Sequence, residues 1–232
     1  MLCLTAAFGC REAVTQMPTS TRMFYFDALA LGGVGKVFAF EPVSDTRHPD
    51  EYWHKRFTGD YRANTLYRTL YSPEGEILQS LSESIDKKGA TLIKLELTYA
   101  SGDSSLTLNA KIDEATTFLF GPPDTSAVAR YQIEYREPSE DSVRVILTRE
   151  RKFVREQNFT FQGKEYPALR YVVYETLETE TEGFTESTWQ TTEIYALGLG
   201  LVYYKKPINN DFVLEYRLKD VLDYNEFKAG KR

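Results

Sequence analysis

The stretch "LIKLELTY", residues 92–99, decides the fold class because its apolar and polar side chains alternate along the chain. In an extended conformation, one face carries the apolar residues Ile93, Leu95, Leu97 and Tyr99. The other face carries the intervening polar residues. Successive side chains of a strand point to opposite sides, so this period of two predicts a half-buried β-strand with one wet face.

The same alternation recurs in "SLTLNAKI" (105–112), "VARYQIEY" (128–135) and "FVLEYRL" (212–218). Short stretches rich in Gly, Pro, Asn and Asp separate such segments at intervals of about ten residues, as turns between hairpin strands do. The 16 Tyr and 14 Phe favour strands as well. We expect an all-β, mainly antiparallel fold, a large curved sheet that forms a half-barrel or a sandwich, with few or no helices.

The charge of the chain argues against one class of partner. Lys and Arg number 28 against 34 Asp and Glu, a formal net charge of −6. A chain without an excess of positive charge lacks the usual attraction for phosphates, so we expect no nucleic-acid partner. The acidic run "ETLETETEGFTE" (175–186) is interpreted as a solvated hairpin tip, with a cation site as the alternative.

The N-terminus, "MLCLTAAFGC", contains both cysteines of the chain, Cys3 and Cys10. An apolar run that ends in small residues and a cysteine resembles a bacterial lipoprotein signal peptide, which would make Cys10 the site of lipid attachment and the membrane a partner. The alternative is a fortuitous apolar start of a cytoplasmic protein. We expect residues 1–22 to be signal and tether and 23–232 a single β domain, with an internal seam at "GPPDTS" (121–126).

Histidine is scarce, with only His48 and His54 in "DTRHPDEYWHKR". Their six-residue spacing and the intervening proline do not fit the metal-binding helix of a zinc protease. We therefore expect no catalytic residue, no metal site and no cofactor. A hydrolase or metal site near this pair remains the third functional hypothesis.

The glycine pair in "IYALGLGLVYYKK" (194–206) raises the question of a nucleotide-binding loop. Such a loop requires a helix after the glycines, whereas strand-like sequence lies on both sides of Gly198 and Gly200. The pair is therefore interpreted as a bend or bulge in a β structure.

The region 163–206, from "GKEYPALRYVVYETL" to "YALGLGLVYYKK", resembles the closing part of uncharacterised Gram-negative envelope lipoproteins with antiparallel, half-barrel-like sheets. The match rests on a C-terminal Y-A-x-G-x-G-L-V motif that begins at Tyr195. This resemblance implies an envelope location and a β fold. It implies no catalytic residue.

Aromatic side chains among polar neighbours suggest where a ligand would bind. Trp53, Trp189 and Tyr203 are the candidates, since aromatic rings on a curved sheet can line an apolar or glycan-binding groove. We expect an outer-membrane lipoprotein, periplasmic or surface-facing, that binds an apolar, lipid or glycan ligand in the concavity of its sheet. The alternative is a non-enzymatic accessory subunit that contacts an envelope protein.

Overall fold

The computed structural model describes residues 19–45, 47–59, 64–101, 104–138, 143–180, 183–209 and 212–230. Within these ranges, the regular structure is thirteen strands and two short helices. The elements run in chain order: α1 (Arg22–Tyr25), β1 (Lys36–Pro42), β2 (Glu51–Gly59), β3 (Asn64–Tyr71), β4 (Ile77–Ile85), β5 (Gly89–Ser101), β6 (Ser104–Asn109), β7 (Lys111–Leu119), β8 (Val128–Arg136), β9 (Arg144–Phe161), β10 (Lys164–Glu180), β11 (Phe184–Ala196), β12 (Gly200–Pro207), β13 (Val213–Asp223) and α2 (Tyr224–Gly230).

The described strands form one antiparallel sheet that closes on itself. Their order is β4-β3-β2-β1-β13-β12-β11-β10-β9-β8-β7-β5-β6, and β4 also pairs with β5. That extra pairing joins the two ends of the order, so twelve of the described strands form a barrel and β6 lies beside β5. The expectation of an antiparallel all-β fold with few helices is confirmed. The half-barrel or sandwich is corrected to a closed barrel, in which no strand of the ring is left with an unpaired edge.

Cross-strand register arranges the inward side chains of β2 to β5 in layers, each made of directly opposed residues. One outer layer consists of Trp53, Leu70, Gln79 and Leu97. The next layer consists of Lys55, Arg68, Leu81 and Leu95. The innermost layer consists of Phe57, Leu66, Glu83 and Leu92. Charged side chains therefore lie among apolar ones in the middle and innermost layers.

The segment 19–35, which we call the plug, fills the barrel next to the innermost layer. Phe24, Tyr25 and Phe26 are buried there, and the Phe26 ring lies 5.1 Å from the ring of Phe57. Backbone hydrogen bonds tie the plug to the wall, for example from Phe57 N to the carbonyl of Leu31. Aromatic packing thus closes one part of the barrel interior. Among the described residues, neither helix has the length and apolar character needed to cross a bilayer.

Two details of the strands bear on the sequence interpretation. In β5, Leu92 pairs with Glu83 and Lys94 with Ser82, so Ile93 is an extra residue in a bulge and is 54% exposed. The predicted single apolar face of this strand is therefore wrong at Ile93, since a bulge resets the alternation.

The glycine pair lies in the tight turn between β11 and β12. Gly198 and Gly200 have φ of 76° and 78°, and the register shifts at Ile194 and Tyr195. The prediction of a β bend at this pair is confirmed. The stretch 121–126 lies in the connection between β7 and β8, which are paired neighbours in the sheet.

Candidate functional site

The barrel interior contains a cavity of about 470 Å³. This volume lies within the range of pockets that hold small ligands. Side chains from β1 to β5 and from β7 to β12 line it, so every strand of the ring except β13 contributes to one site.

One wall of the cavity is apolar. It consists of Leu70, Leu81, Leu92, Leu95, Leu97, Ile133 and Leu147 together with the rings of Tyr131 and Tyr135. Leu81, Leu92, Leu95 and Ile133 also form a compact buried cluster. A surface of this kind offers dispersion contacts and burial to an aliphatic group. Its hydrogen-bonding groups are the tyrosine hydroxyls and the amide of Gln79, which is paired between Leu70 and Leu97.

The opposite side contains ion pairs centred on Glu193. Its carboxylate accepts hydrogen bonds from Arg151 Nε at 2.8 Å, Arg149 Nη2 at 2.9 Å and the Tyr195 hydroxyl at 2.9 Å. Burial raises the pKa of Glu193, but the two guanidinium groups outweigh burial and hold that pKa at about 2. Glu193 is therefore an anion at any physiological pH.

Glu175 extends this network toward β12. It accepts hydrogen bonds from Arg149 Nη2 at 3.1 Å, from Lys206 Nζ and from the Thr191 hydroxyl at 2.9 Å. Although burial raises the pKa of Glu175, Arg149 and Lys206 together lower it below the ordinary value. The expectation of a solvated acidic hairpin tip is thus wrong for Glu175, which is 4% exposed and points into the barrel.

A second group of ion pairs surrounds Glu83, next to the plug. Glu83 accepts hydrogen bonds from Arg68 Nη2 at 2.7 Å, the Tyr25 hydroxyl at 2.7 Å and the Thr117 hydroxyl at 2.5 Å. The Thr117 carbonyl in turn accepts a hydrogen bond from Arg151 Nη1, which joins the two groups. The ion pairs around Glu83, Glu193 and Glu175 therefore form one connected layer between the plug and the cavity. We call this layer the charged floor.

Lys55 is the exception among the cations of the cavity. It is 7% exposed, and its ammonium lies 4.0 Å from the centroid of the Phe38 ring. Within the described part of the chain, no carboxylate forms an ion pair with it. The residues directly opposite it in the sheet are both cations, Arg68 on β3 and Lys36 on β1. Burial first, and then the charge of Arg68, lower the pKa of Lys55 to about 7, against the influence of Glu83.

Glu51 and Trp53 lie at the cavity on β2, near the outer layer. The Glu51 carboxylate accepts hydrogen bonds from Trp53 Nε1 at 3.0 Å and the Tyr204 hydroxyl at 2.7 Å, both neutral donors. Burial raises the pKa of Glu51 above its ordinary value. Glu51 is thus less able than Glu175 or Glu193 to balance a nearby positive charge.

The three aromatic residues predicted to bind a ligand do not come together. Trp53 lines the cavity. The Trp189 ring packs under the Lys206 ammonium at 4.5 Å, and its Nε1 donates to the Ile208 carbonyl. The Tyr203 hydroxyl donates to Glu215, on a different face of β12 from the cavity-lining Tyr204. Of the three, the structure brings only Trp53 to the site.

The two histidines also lie apart. His54 stacks on Tyr224 at 4.0 Å and contacts the Val34 carbonyl through Nε2. His48 lies 3.9 Å from Asp45 and beside the ring of Phe212. In the ranges that the structure describes, no three His, Cys, Asp or Glu side chains form a group that could hold a metal ion. The predicted lipid-attachment residue Cys10 lies outside the described residues.

Sequence reasoning missed the charged floor, although the sequence contains a signal for it. Arg149 and Arg151 alternate with the same spacing of two residues as Leu147 and Phe153, so all four lie on one face of the strand. Glu193 is likewise on the same face as the buried Tyr195. A charged residue in phase with the apolar face of a strand points to the interior. Because exposed charges occur throughout this chain, that phase is the only feature that distinguishes the buried ones.

No protein-family model and no curated protein sequence matches the chain. Among solved structures, the chain is similar to a "putative exported protein with YmcC-like fold" from Bacteroides fragilis, with a TM-score of 0.50 and 12% identity. The match covers 86% of this chain and 99% of that chain. This likeness shows a shared fold and does not extend to a ligand.

Two further solved structures are also similar to the chain. A "putative lipoprotein" from Parabacteroides distasonis has a TM-score of 0.49 and 13% identity, over 85% of this chain and 97% of that chain. The "hypothetical lipoprotein YmcC" from Escherichia coli has a TM-score of 0.33 and 10% identity, over 81% of this chain and 86% of that chain.

Proposed function

We propose that the protein is a non-enzymatic binding protein of the bacterial cell envelope that holds a small, largely apolar ligand inside its barrel. The observation that carries this proposal is the cavity of about 470 Å³ with a leucine-rich wall. A barrel whose interior served only stability would be filled by side chains at close-packed density. Space lined by apolar side chains is instead a property of barrels that enclose ligands.

The composition of the wall favours an aliphatic or lipid ligand over a glycan. A glycan presents hydroxyl groups on every ring, and each of them needs a hydrogen-bonding partner when it is buried. Leu81, Leu95 and Leu97 provide none. An alkyl chain on the same wall gains about 0.8 kcal/mol for each buried methylene group.

The envelope setting is supported by the sequence and by the shared fold. The N-terminal residues that end at Cys10 have the pattern of a lipoprotein signal, and lipid attachment at this cysteine would make the membrane a partner. The fold is shared with a protein described as exported. We propose an outer-membrane lipoprotein in which the barrel is tethered through the residues that precede the plug.

The test uses the uncharged apolar fluorophore N-phenyl-1-naphthylamine, whose emission increases in apolar surroundings. Leu97 and Ile93 lie on the same strand, and Leu97 lines the cavity whereas Ile93 is exposed on the outside. We expect saturable binding of the probe by the unmodified protein. Leu97→Trp should weaken this binding because the indole occupies part of the cavity, whereas Ile93→Trp should leave it intact.

The matched pair separates binding in the cavity from binding to the outer surface. Circular dichroism of both variants confirms that each is folded before the titration. Equal binding of the probe to the Leu97→Trp and Ile93→Trp proteins would show that it binds elsewhere and would overturn the proposed function. Membrane fractionation of a Cys10→Ser protein tests the anchor separately, since retention in the membrane would contradict lipid attachment at Cys10.

A further inference from the structure

The charges around the cavity do not balance, and the imbalance is located at Lys55. Of the five cations that line the cavity, four have a carboxylate partner: Arg68, Arg149, Arg151 and Lys206. Lys55 has none among the described residues. The carboxyl group of Glu51, which also lines the cavity, is hydrogen-bonded by two neutral groups instead.

This arrangement is unfavourable in the absence of a further group. Lys55 and Arg68 are directly opposite one another in the β2–β3 pair, where like charges destabilise a sheet. Lys55 is buried and the Arg68 side chain is 22% exposed, so water screens this pair less than it screens surface charges. A buried charge is normally paired, and one negative charge at this point would pair Lys55.

The apolar side of the cavity, which we call the leucine wall, lies next to Lys55. This position indicates which kind of molecule would carry the negative charge. In its own layer, the cross-strand neighbours beyond Arg68 are Leu81 and Leu95. One layer further from the plug, the wall continues with Leu70 and Leu97, and Gln79 is paired between them. A molecule with its anionic end at Lys55 would therefore have an apolar surface next to it in the direction that leads away from the plug.

We propose that the ligand is a linear aliphatic carboxylic acid, whose carboxylate is bound by Lys55 and Arg68 and whose hydrocarbon chain lies along the leucine wall. This inference rests on the proposed function. Lys55 Nζ donates hydrogen bonds to the carboxylate, and Arg68, already engaged with Glu83, contributes charge. A single unpaired cation matches a monoanionic headgroup, whereas a phosphate dianion would leave a negative charge uncompensated in the barrel.

The experiment compares decanoate with 1-decanol, which has the same chain without a charge. The method is isothermal titration calorimetry at about pH 6, below the pKa of about 7 of Lys55. We expect the unmodified protein to bind decanoate about tenfold to a hundredfold more tightly than 1-decanol, as a charged hydrogen bond implies. Lys55→Met should remove this preference and leave the affinity for 1-decanol unchanged. Lys94→Met, on the outer face of β5, should change neither affinity.

The outcomes separate the two proposals. If the unmodified protein binds both compounds equally, the headgroup assignment is overturned while the proposed function stands. If it binds neither compound, both proposals fail. If the Lys55→Met protein binds neither decanoate nor 1-decanol, Lys55 has a structural role. The assignment of the carboxylate to Lys55 is then also overturned. The comparison of the two compounds on the unmodified protein decides the matter even if the Lys55→Met protein does not fold.

Discussion

Replacing Lys55 with methionine will change how the stability of the protein depends on pH. The Lys55 ammonium is buried beside Arg68 and has no carboxylate partner among the described residues, so the folded state holds its proton weakly. Its pKa falls to about 7 from the ordinary value of 10.5, first because of burial and then because of Arg68. Methionine has a similar length and no charge, so Lys55→Met removes the titration while keeping most of the packing.

The sign and size of the effect follow from the two pKa values. Between pH 7 and pH 10.5 the unfolded chain binds a proton at Lys55 that the folded chain releases, so the free energy of unfolding rises with pH across this interval. At about 1.36 kcal/mol for each pH unit, the whole interval amounts to about 5 kcal/mol. This contribution is present in full above the unfolded pKa and is lost as pH falls to about 7.

The assay is urea unfolding followed by circular dichroism, between about pH 6 and about pH 10.5, on the unmodified and Lys55→Met proteins. Other groups titrate alike in both proteins, and their effects cancel in the difference. We expect Lys55→Met to be the more stable protein at about pH 6, by up to about 5 kcal/mol, and the difference to shrink steadily as pH rises. Lys94→Met, which removes an exposed lysine, serves as the control and should follow the unmodified protein.

Parallel curves for the unmodified and Lys55→Met proteins would refute the reasoning. They would mean that Lys55 keeps its proton in the folded state as easily as in the unfolded chain. The unpaired buried cation, on which the headgroup assignment also depends, would then not exist in solution.

Two further predictions concern the floor and the plug. Glu193→Gln should lower the free energy of unfolding by about 3 kcal/mol at neutral pH, because the pKa of Glu193 is held at about 2 rather than 4.5. In the same urea assay, this difference in the free energy of unfolding should disappear as pH falls from 4.5 to about 2. Gly200→Ala should lower the thermal midpoint more than Gly198→Ala, although both glycines have positive φ, since only at Gly200 would the new Cβ approach the Tyr25 carbonyl, at 2.8 Å. Equal losses of the midpoint in the two alanine proteins would show that the plug does not pack against this turn.

The fold class was predictable because it depends on short-range alternation. The period of two in "LIKLELTY" and its counterparts reports local burial, and the glycines 198 and 200 report a local bend. Closure of the barrel was not predictable in this way. It depends on β4 meeting β5 and on β1 meeting β13, and no local pattern records which strands become neighbours.

The site was predictable only at Trp53. Trp189 and Tyr203 do not line the cavity; the Trp189 ring contacts Lys206, and the Tyr203 hydroxyl donates to Glu215. Conversely, Glu175 belongs to an acidic run that suggests solvent, and its burial comes from three partners on other strands. Pairing between distant charges is decided by the three-dimensional arrangement and not by the neighbours of a residue in sequence.

The pairing of β1 with β13 has a consequence for the order of folding. Lys36 on β1 and Asp223 on β13 meet across a separation of 187 residues. Because such long-range contacts require a large loss of chain entropy before they form, barrels closed in this way fold slowly. Until β13 is present, the barrel wall around the plug is incomplete. The phenylalanine rings of the plug are then exposed and can contact other chains. Partly synthesised forms of this protein are therefore expected to expose the apolar side chains of residues 19–35 until the last strand is present.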